Sequence, residues 1–343
     1  MTFFSLLCAL LLEQVHPLPA AHPAWRAQQR LADWALNNLD AGRPMHGWIA
    51  WAAAVVLPAT LSYAIYRLLA WVGWPLALAW NALLLYATLS FRQFGDYISA
   101  IREALERGDE LRARQLLAQW KGHATSTAWP RHAFTQQVLE YAVLNVHRHM
   151  FGLATTFILF AMLGMGPAGA VLYWCADFVR AYWQQQRQRT GIESAGFALH
   201  AAQTAWNGIN WLPTRTTAAC FAIVGNFELA IDNWRQLASA QTDDSRPHNE
   251  ALLLAVAAGA IDVPGNFSTP ATTAAQTATP TAGAHTTQDP TLAEDAGMAY
   301  GVALYAQQPS GMLRLHMLAR LVWRSVLLWG LLIALVTVTH WVS

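Results

Sequence analysis

Charge is what this chain has least of. Only 12% of its 343 residues are Asp, Glu, Lys or Arg while 55% are apolar, about half the charge of an ordinary soluble domain. Much of its surface must be shielded by something other than water, and lipid is the solvent that fits. Cysteine is equally scarce: Cys8, Cys175 and Cys220 stand apart in apolar surroundings. Isolated thiols exclude a disulfide framework and a Cys-based metal site, leaving three small buried hydrophobes as the expectation. A net charge of +1 without clustered Lys and Arg excludes the electrostatic footprint of a nucleic-acid binder. The N-terminus, MTFFSLLCALLLEQVHP, lacks a basic n-region and a small-residue cleavage site, so it reads as a retained membrane-associated helix rather than a cleaved signal peptide. Nothing resembles a phosphate-cradling glycine loop, a Ser-His-Asp set or a haem motif.

What the chain has in plenty is tryptophan and long apolar runs. Of its 17 Trp, Trp48, Trp51, Trp71, Trp74, Trp323, Trp329 and Trp341 flank apolar stretches, where amphipathic rings sit at headgroup level. The organising run is Met150 to Ala176, which holds no Asp, Glu, Lys or Arg and is broken by Gly164, Gly166 and Pro167. It exceeds the about 20 residues needed to cross a bilayer. Because lipid offers no partner for free backbone groups, such a break must be buried in protein or face a polar cavity. Two readings stand: a kinked spanning helix, or two half-helices in a re-entrant hairpin.

Before this run, Pro44 to Tyr66 and Leu68 to Ser90 are charge-free, split by Arg67 and turned at Gly73-Trp74-Pro75, and read as a helical hairpin with Arg67 free to snorkel. Between Phe91 and Arg148 the basic residues gather, and the positive-inside tendency places this stretch in the cytoplasm. Within it, Arg107-Gly108-Asp109-Glu110 reads as a helix stop followed by an Asp N-cap. Ala113, Leu116, Leu117 and Trp120 recur at helical spacing, so two short helices pack as a hairpin. A further helix, roughly 131–150, places His132, Gln136 and Glu140 on one face. After the broken run, Arg180, Arg187 and Arg189 would lie outside if it spans fully and inside if it is re-entrant, which favours the hairpin. The stretch from Trp211 to Gly225 fits a span or a half-buried helix equally. Residues 266–290 are Thr, Ala and Pro low complexity, expected to be a disordered linker. From Ser325 to Ser343 a last spanning helix is expected.

The fold class expected is therefore all-α: a multi-pass transmembrane helical protein with a small cytoplasmic helical insertion. Its divisions are 1–91, N-terminal membrane helices and hairpin; 92–149, the cytoplasmic helical domain; 150–265, the broken segment and associated helices; 266–290, the linker; and 291–343, an amphipathic stretch and a transmembrane helix.

Several side chains are candidates for ligand binding. Glu140 and Asn145, on the helix entering the apolar run, are placed to line a polar cavity. Asn210 and Arg215 flank Pro213 and suit a phosphate, although Arg215 could equally snorkel. Asp109 fits a helix cap as well as a ligand. His147 and His149 lie two apart on a helix, about 200° around its axis, and do not share one ion easily; no metal site is assigned.

The order of segments, with Gly108-Asp109-Glu110-Leu111-Arg112-Ala113-Arg114, Asn210-Trp211-Leu212-Pro213-Thr214-Arg215, and Pro247-His248-Asn249-Glu250-Ala251 before a small-residue run, resembles the CobD/CbiB family. His22-Pro23 matches that family's His-Pro near the N-terminus, which adds His22 to the candidates, and Asn249 enters with its motif. The opening MTFFSLLCALLLE also resembles AmpE, a membrane protein of the same superfamily associated with β-lactamase regulation. The resemblance implies a multi-pass bacterial inner-membrane protein of cobalamin biosynthesis, in contact with lipid, a corrinoid or other cobalamin-pathway proteins. Active members form adenosylcobinamide phosphate by joining a corrinoid carboxylate to an aminopropanol phosphate, with ATP, and Mg²⁺ is expected beside it. The sequence departs from the family pattern in four charged clusters. Leu144-Asn145 and Arg148-His149 stand for Glu-Asn and Asp-Gly, and Gly122-His123-Ala124 for Gly-Arg-Asp. Tyr173, Ala176 and Val179 stand for Lys, Asn and Asp, and Trp206-Asn207 for an acidic pair. That pattern implies a chemistry absent or altered, and leaves a non-enzymatic AmpE-like regulator or scaffold as the alternative.

Overall fold

The computed structural model describes residues 2–15, 23–39, 42–89, 91–122, 131–190, 196–239, 248–262 and 311–342. Every regular element among them is helical: α1 (Thr2–Val15), α2 (Pro23–Leu39), α3 (Pro44–Val72), α4 (Trp74–Thr88), α5 (Phe91–Glu106), α6 (Glu110–Lys121) and α7 (Arg131–Val146), then a π-helical turn (His147–Phe151), α8 (Gly152–Met162), α9 (Ala168–Thr190), α10 (Gly196–Ile209), α11 (Trp211–Val224), α12 (Phe227–Ser239), α13 (His248–Ala260) and α14 (Gly311–Val342). His22 and the linker 266–290 lie outside the described residues.

Two of these helices, Pro44–Val72 and the Leu313–Leu332 part of α14, are long and apolar enough to cross a membrane. The first turns at Gly73 into α4, as the Gly-Trp-Pro signal predicts. The last helix begins before Arg320 and Arg324 rather than after them, so those arginines belong to its shaft. α11, at 14 residues, rises only about 21 Å, too short to span alone.

The Gly-Met-Gly-Pro break folds the apolar run back on itself. Gly164 and Gly166 adopt left-handed φ of 74° and 58°, which a residue with a side chain seldom tolerates. α8 and α9 then run antiparallel at close range. A Cβ on Gly169 would meet Thr156 O at 2.3 Å, and one on Gly152 would meet the Tyr173 hydroxyl at 2.1 Å. The structure therefore shows a helical hairpin and not one kinked helix. Two small residues at the contact let the backbones approach.

The buried hydrophobic residues form two clusters. One gathers α1 to α4 with α8, α9 and α10, around Leu85, Phe157, Trp183 and Trp206. The other gathers α5 to α7 with α11 to α14, around Phe94, Leu117, Phe134 and Phe221. The stretch 92–149 thus buries its apolar face in a core shared with later helices. α6 begins as the sequence predicts, with Asp109 accepting from Arg112 N at 2.9 Å and Ala113, Leu116, Leu117 and Trp120 all buried. Beyond its first turn α13 has no outward face: every residue from Ala251 to Ala260 is buried, as is Asn249. Cys175 and Cys220 are buried as expected, whereas Cys8 is exposed, because it lies on the side of α1 turned away from its neighbours.

Candidate functional site

Polar side chains collect where the two cores meet, and the π-helical turn is what delivers them. One extra residue in that turn, within an otherwise continuous run from Arg131 to Met162, aims His147 and Arg148 at different partners. His147 is fully buried between α11 and the α10–α11 junction. Its Nδ1 lies 3.0 Å from Thr217 Oγ1 and its Nε2 lies 3.0 Å from Asn210 Oδ1. The Tyr173 hydroxyl donates to the same Asn210 oxygen at 2.8 Å. With Oδ1 as acceptor, Nε2 carries the proton and Nδ1 is left an acceptor facing the Thr217 hydroxyl, which also reaches Pro213 O at 2.9 Å. Burial pulls this imidazole down to about 4, against the upward pull of its Asn210 hydrogen bond, so at neutral pH it is uncharged.

Arg148 turns instead toward α13 and α9. It donates to Glu250 Oε1 at 2.5 Å and lies 4.0 Å from Asp177 Oδ1, which also accepts from Arg180 at 2.8 Å. The Arg180 guanidinium stacks 5.2 Å over the Trp206 ring, itself 5.0 Å from the Tyr173 ring. Two cations and two anions thus balance inside the fold. Burial pushes Asp177 up, but Arg180, Arg148 and His149 overcome it and hold the carboxyl at about 2. Burial also works against the Arg148 charge, yet Glu250 and Asp177 more than offset it, so the guanidinium is held more firmly charged than usual.

Beside this network lies an open cleft of about 670 Å³, lined by aromatic rings and amides of α2, α5, α6 and α9, among them Trp25, Gln29, Tyr97, Lys121, Tyr182 and Gln186. The Tyr182 hydroxyl is its hub: it donates to Asp33 at 2.7 Å and accepts from Gln29 at 3.3 Å and Gln186 at 2.9 Å. Lys121 donates to Gln137 at 2.7 Å, and burial lowers its affinity for a proton, with Glu140 opposing. Tyr141 links the two places. Its hydroxyl donates to Trp120 O at 3.0 Å, interacts with Asn145, and feels the charges of Arg148 and Asp177.

The candidates from sequence fall into three groups. Asn210 sits in the His147 cluster, and Asn249 is buried beside it, donating to Asn207 O at 2.9 Å and accepting from Arg215 at 3.2 Å. Arg215 stacks 4.1 Å over Trp211 and, through Asn249, ties α11 to α13. Asn145 hydrogen-bonds Tyr141 and Glu140 acts on the charge of Lys121, but neither lines the cleft. Asp109 is the α6 cap, with its carboxylate engaged there. His22 lies outside the described residues.

Sequence reading missed Arg148, Asp177, Arg180 and Glu250. It took Tyr173, Ala176 and Val179 as marks of lost charge, and all three are buried, while Asp177 and Arg180 beside them reach the network. The signal was present in the charge-free run itself, which starts after Arg148-His149 and ends before Asp177. A hairpin of equal arms must bring its two ends together.

The resemblance implies ATP and Mg²⁺. The network itself offers that pair no open ligand: both its carboxylates are already matched by arginines, and no group of three or more His, Cys, Asp or Glu among the described residues could hold a metal ion. What the arrangement offers is recognition of a large ligand with aromatic-sized faces and polar edges, next to a fixed set of charges.

Comparison with known proteins bears on the same residues. A family model described as CobD/Cbib protein matches residues 6–292. This chain belongs to the CobD/CbiB family. It is 33% identical over 269 residues to "Cobalamin biosynthesis protein CobD" of Stutzerimonas stutzeri (strain A1501), covering 76% of this chain and 81% of that one. It is 27% identical over 250 residues to the protein of the same name in Chromobacterium violaceum, covering 71% and 67%. No solved structure matches.

Proposed function

We propose that this CobD/CbiB member works in cobalamin biosynthesis as a multi-pass inner-membrane protein that holds a corrinoid. The observation that carries the reading is the amide- and aromatic-lined cleft, joined to the Arg148, Asp177, Arg180 and Glu250 network by Tyr141, which bonds Trp120 of the cleft and feels the charges of Arg148 and Asp177. A corrin ring offers broad apolar faces and carboxamide edges, which match the rings of Trp25, Tyr97 and Tyr182 and the amides of Gln29, Gln119 and Gln186. Two apolar helices of spanning length support the membrane location.

A second reading is favoured by one specific observation, the neutralised carboxylates. Amide formation with ATP asks for charge free to hold Mg²⁺, and here Asp177 and Glu250 are bound to arginines. On that reading the chain is an AmpE-like regulator or scaffold that keeps the family fold without the reaction. One experiment separates the two. In a strain lacking the synthase and given no cobinamide, restored cobalamin synthesis establishes the enzyme. Binding of cobyric acid by the purified chain, seen as a shift in the visible spectrum, without restored synthesis establishes a corrinoid-holding protein that lacks the reaction. Absence of both leaves the regulator reading standing and removes the first.

A further inference from the structure

We propose that the tip of the α8–α9 hairpin is a bilayer-inserted element whose partner is lipid acyl chain, and that both its arms enter and leave the membrane through one face. This rests on the membrane reading above and fixes a feature that reading leaves open.

The tip has the surface for it. Leu159, Met162 and Leu163 are 40%, 74% and 67% exposed, and no formal charge stands between Met150 and Ala176. An irregular turn is tolerated in hydrocarbon only when its backbone groups find partners within the protein. Four N–H groups of this one find them: Leu163 N donates to Leu159 O at 3.3 Å, Gly164 N to Ala161 O at 3.0 Å, Met165 N to Phe160 O at 2.8 Å and Ala168 N to Met165 O at 3.4 Å. The opposite ends of the arms are charged and lie together, since Arg148 is 4.0 Å from Asp177. Polar ends that meet must leave on the same face.

The depth follows from α3. Its exposed tryptophans, Trp48 and Trp71, bracket the helix and stand about 35 Å apart along it, slightly more than the about 30 Å hydrocarbon core. The tip packs against this helix near its far end, because a Cβ on Gly166 would lie 2.6 Å from the Tyr66 ring. Tyr66 is about 8 Å of helix short of Trp71. The hairpin therefore reaches most of the way across and turns beneath the far headgroups without emerging. α3 itself exposes Leu57, Leu61 and Leu68.

Single-cysteine labelling of the full chain in sealed membrane vesicles tests this. Cys175 and Cys220 are buried and Cys8 is the exposed thiol, so C8S is the background, and it must itself remain unlabelled. R107C and R189C are expected to react with a membrane-impermeant maleimide from the same face. M162C is expected to react at least tenfold more slowly than R189C from either face, and a bimane placed on it to be quenched by lipids brominated along the chain. Rapid aqueous labelling of M162C, from whichever side, or labelling of R189C from the face opposite R107C, overturns the proposal. If the chain stays out of the membrane fraction altogether, the membrane reading itself fails. That outcome is distinct from a chain that is membrane-bound with a water-exposed Met162.

Discussion

The hydroxyl of Tyr173 occupies the space that any side chain on Gly152 would need: a Cβ there would stand 2.1 Å from it. The same hydroxyl donates to Asn210 at 2.8 Å, so the close approach of α8 and α9 is also what aims a phenol at the buried histidine cluster.

Gly152→Ala is accordingly expected to destabilise the chain by about 1–3 kcal/mol, the usual range for overpacking a close contact. Gly95→Ala, where nothing lies within 4 Å of the added Cβ, is expected to be neutral or slightly stabilising. Thermal unfolding in detergent checks both, and equal melting temperatures for the two variants would refute the packing account.

Removing Arg148 takes the cation from part-buried Glu250, and removing Glu250 leaves Arg148 with Asp177 at 4.0 Å in place of its closer partner. Arg148→Met and Glu250→Leu are each expected to cost about 3 kcal/mol or more, and the double variant clearly less than their sum. A double-mutant cycle on unfolding free energies decides it, and strict additivity would count against the pair.

Acid should loosen the molecule in two stages. His147 has a folded-state value near 4 against an ordinary 6.5, so between those pH values the unfolded chain binds more protons and stability falls as pH drops. The full effect amounts to about 3 kcal/mol, present above pH 6.5 and gone below 4. Asp177, held at about 2 against an ordinary 3.8, adds a second loss in that lower window. His147→Gln should flatten the first stage and leave the second. Urea midpoints measured from pH 7 to pH 3 report the outcome.

If the cleft holds the corrinoid, Trp25→Ala should weaken binding about tenfold, roughly 1.4 kcal/mol, with little change in melting temperature. Spectral titration with cobyric acid gives the comparison. Unchanged affinity would place the ligand elsewhere.

Much of the fold was legible because it rests on local signals. The turn at Gly73-Trp74-Pro75, the Asp109 cap and the buried stripe from Ala113 to Trp120 are each written within a few residues. The hairpin within 150–176 was half legible: Gly164, Gly166 and Pro167 announce an interruption, but whether the chain bends or returns depends on Gly152 and Gly169 meeting their partners across the turn. The site was least legible. His147 was set aside because metal spacing failed, and its actual partners, Thr217 and Asn210, come from a helix far along the chain. Glu250 lay inside a recognised motif, but its partner Arg148 stands 102 residues away along the chain, a pairing that no local pattern announces.

Beyond its first turn α13 touches protein on every side, and Gly259 lies so near Leu229 and Ala230 of α12 that an added Cβ would be 2.5 Å from a carbonyl oxygen. Its run of Leu, Ala, Val and Gly is thus governed by shape alone, while its opening turn, Asn249 and Glu250, is governed by chemistry. Among relatives, exchanges of one small residue for another should be tolerated along the run, but Gly259 should stay glycine, because the atoms it meets on α12 are backbone and no smaller side chain there would make room.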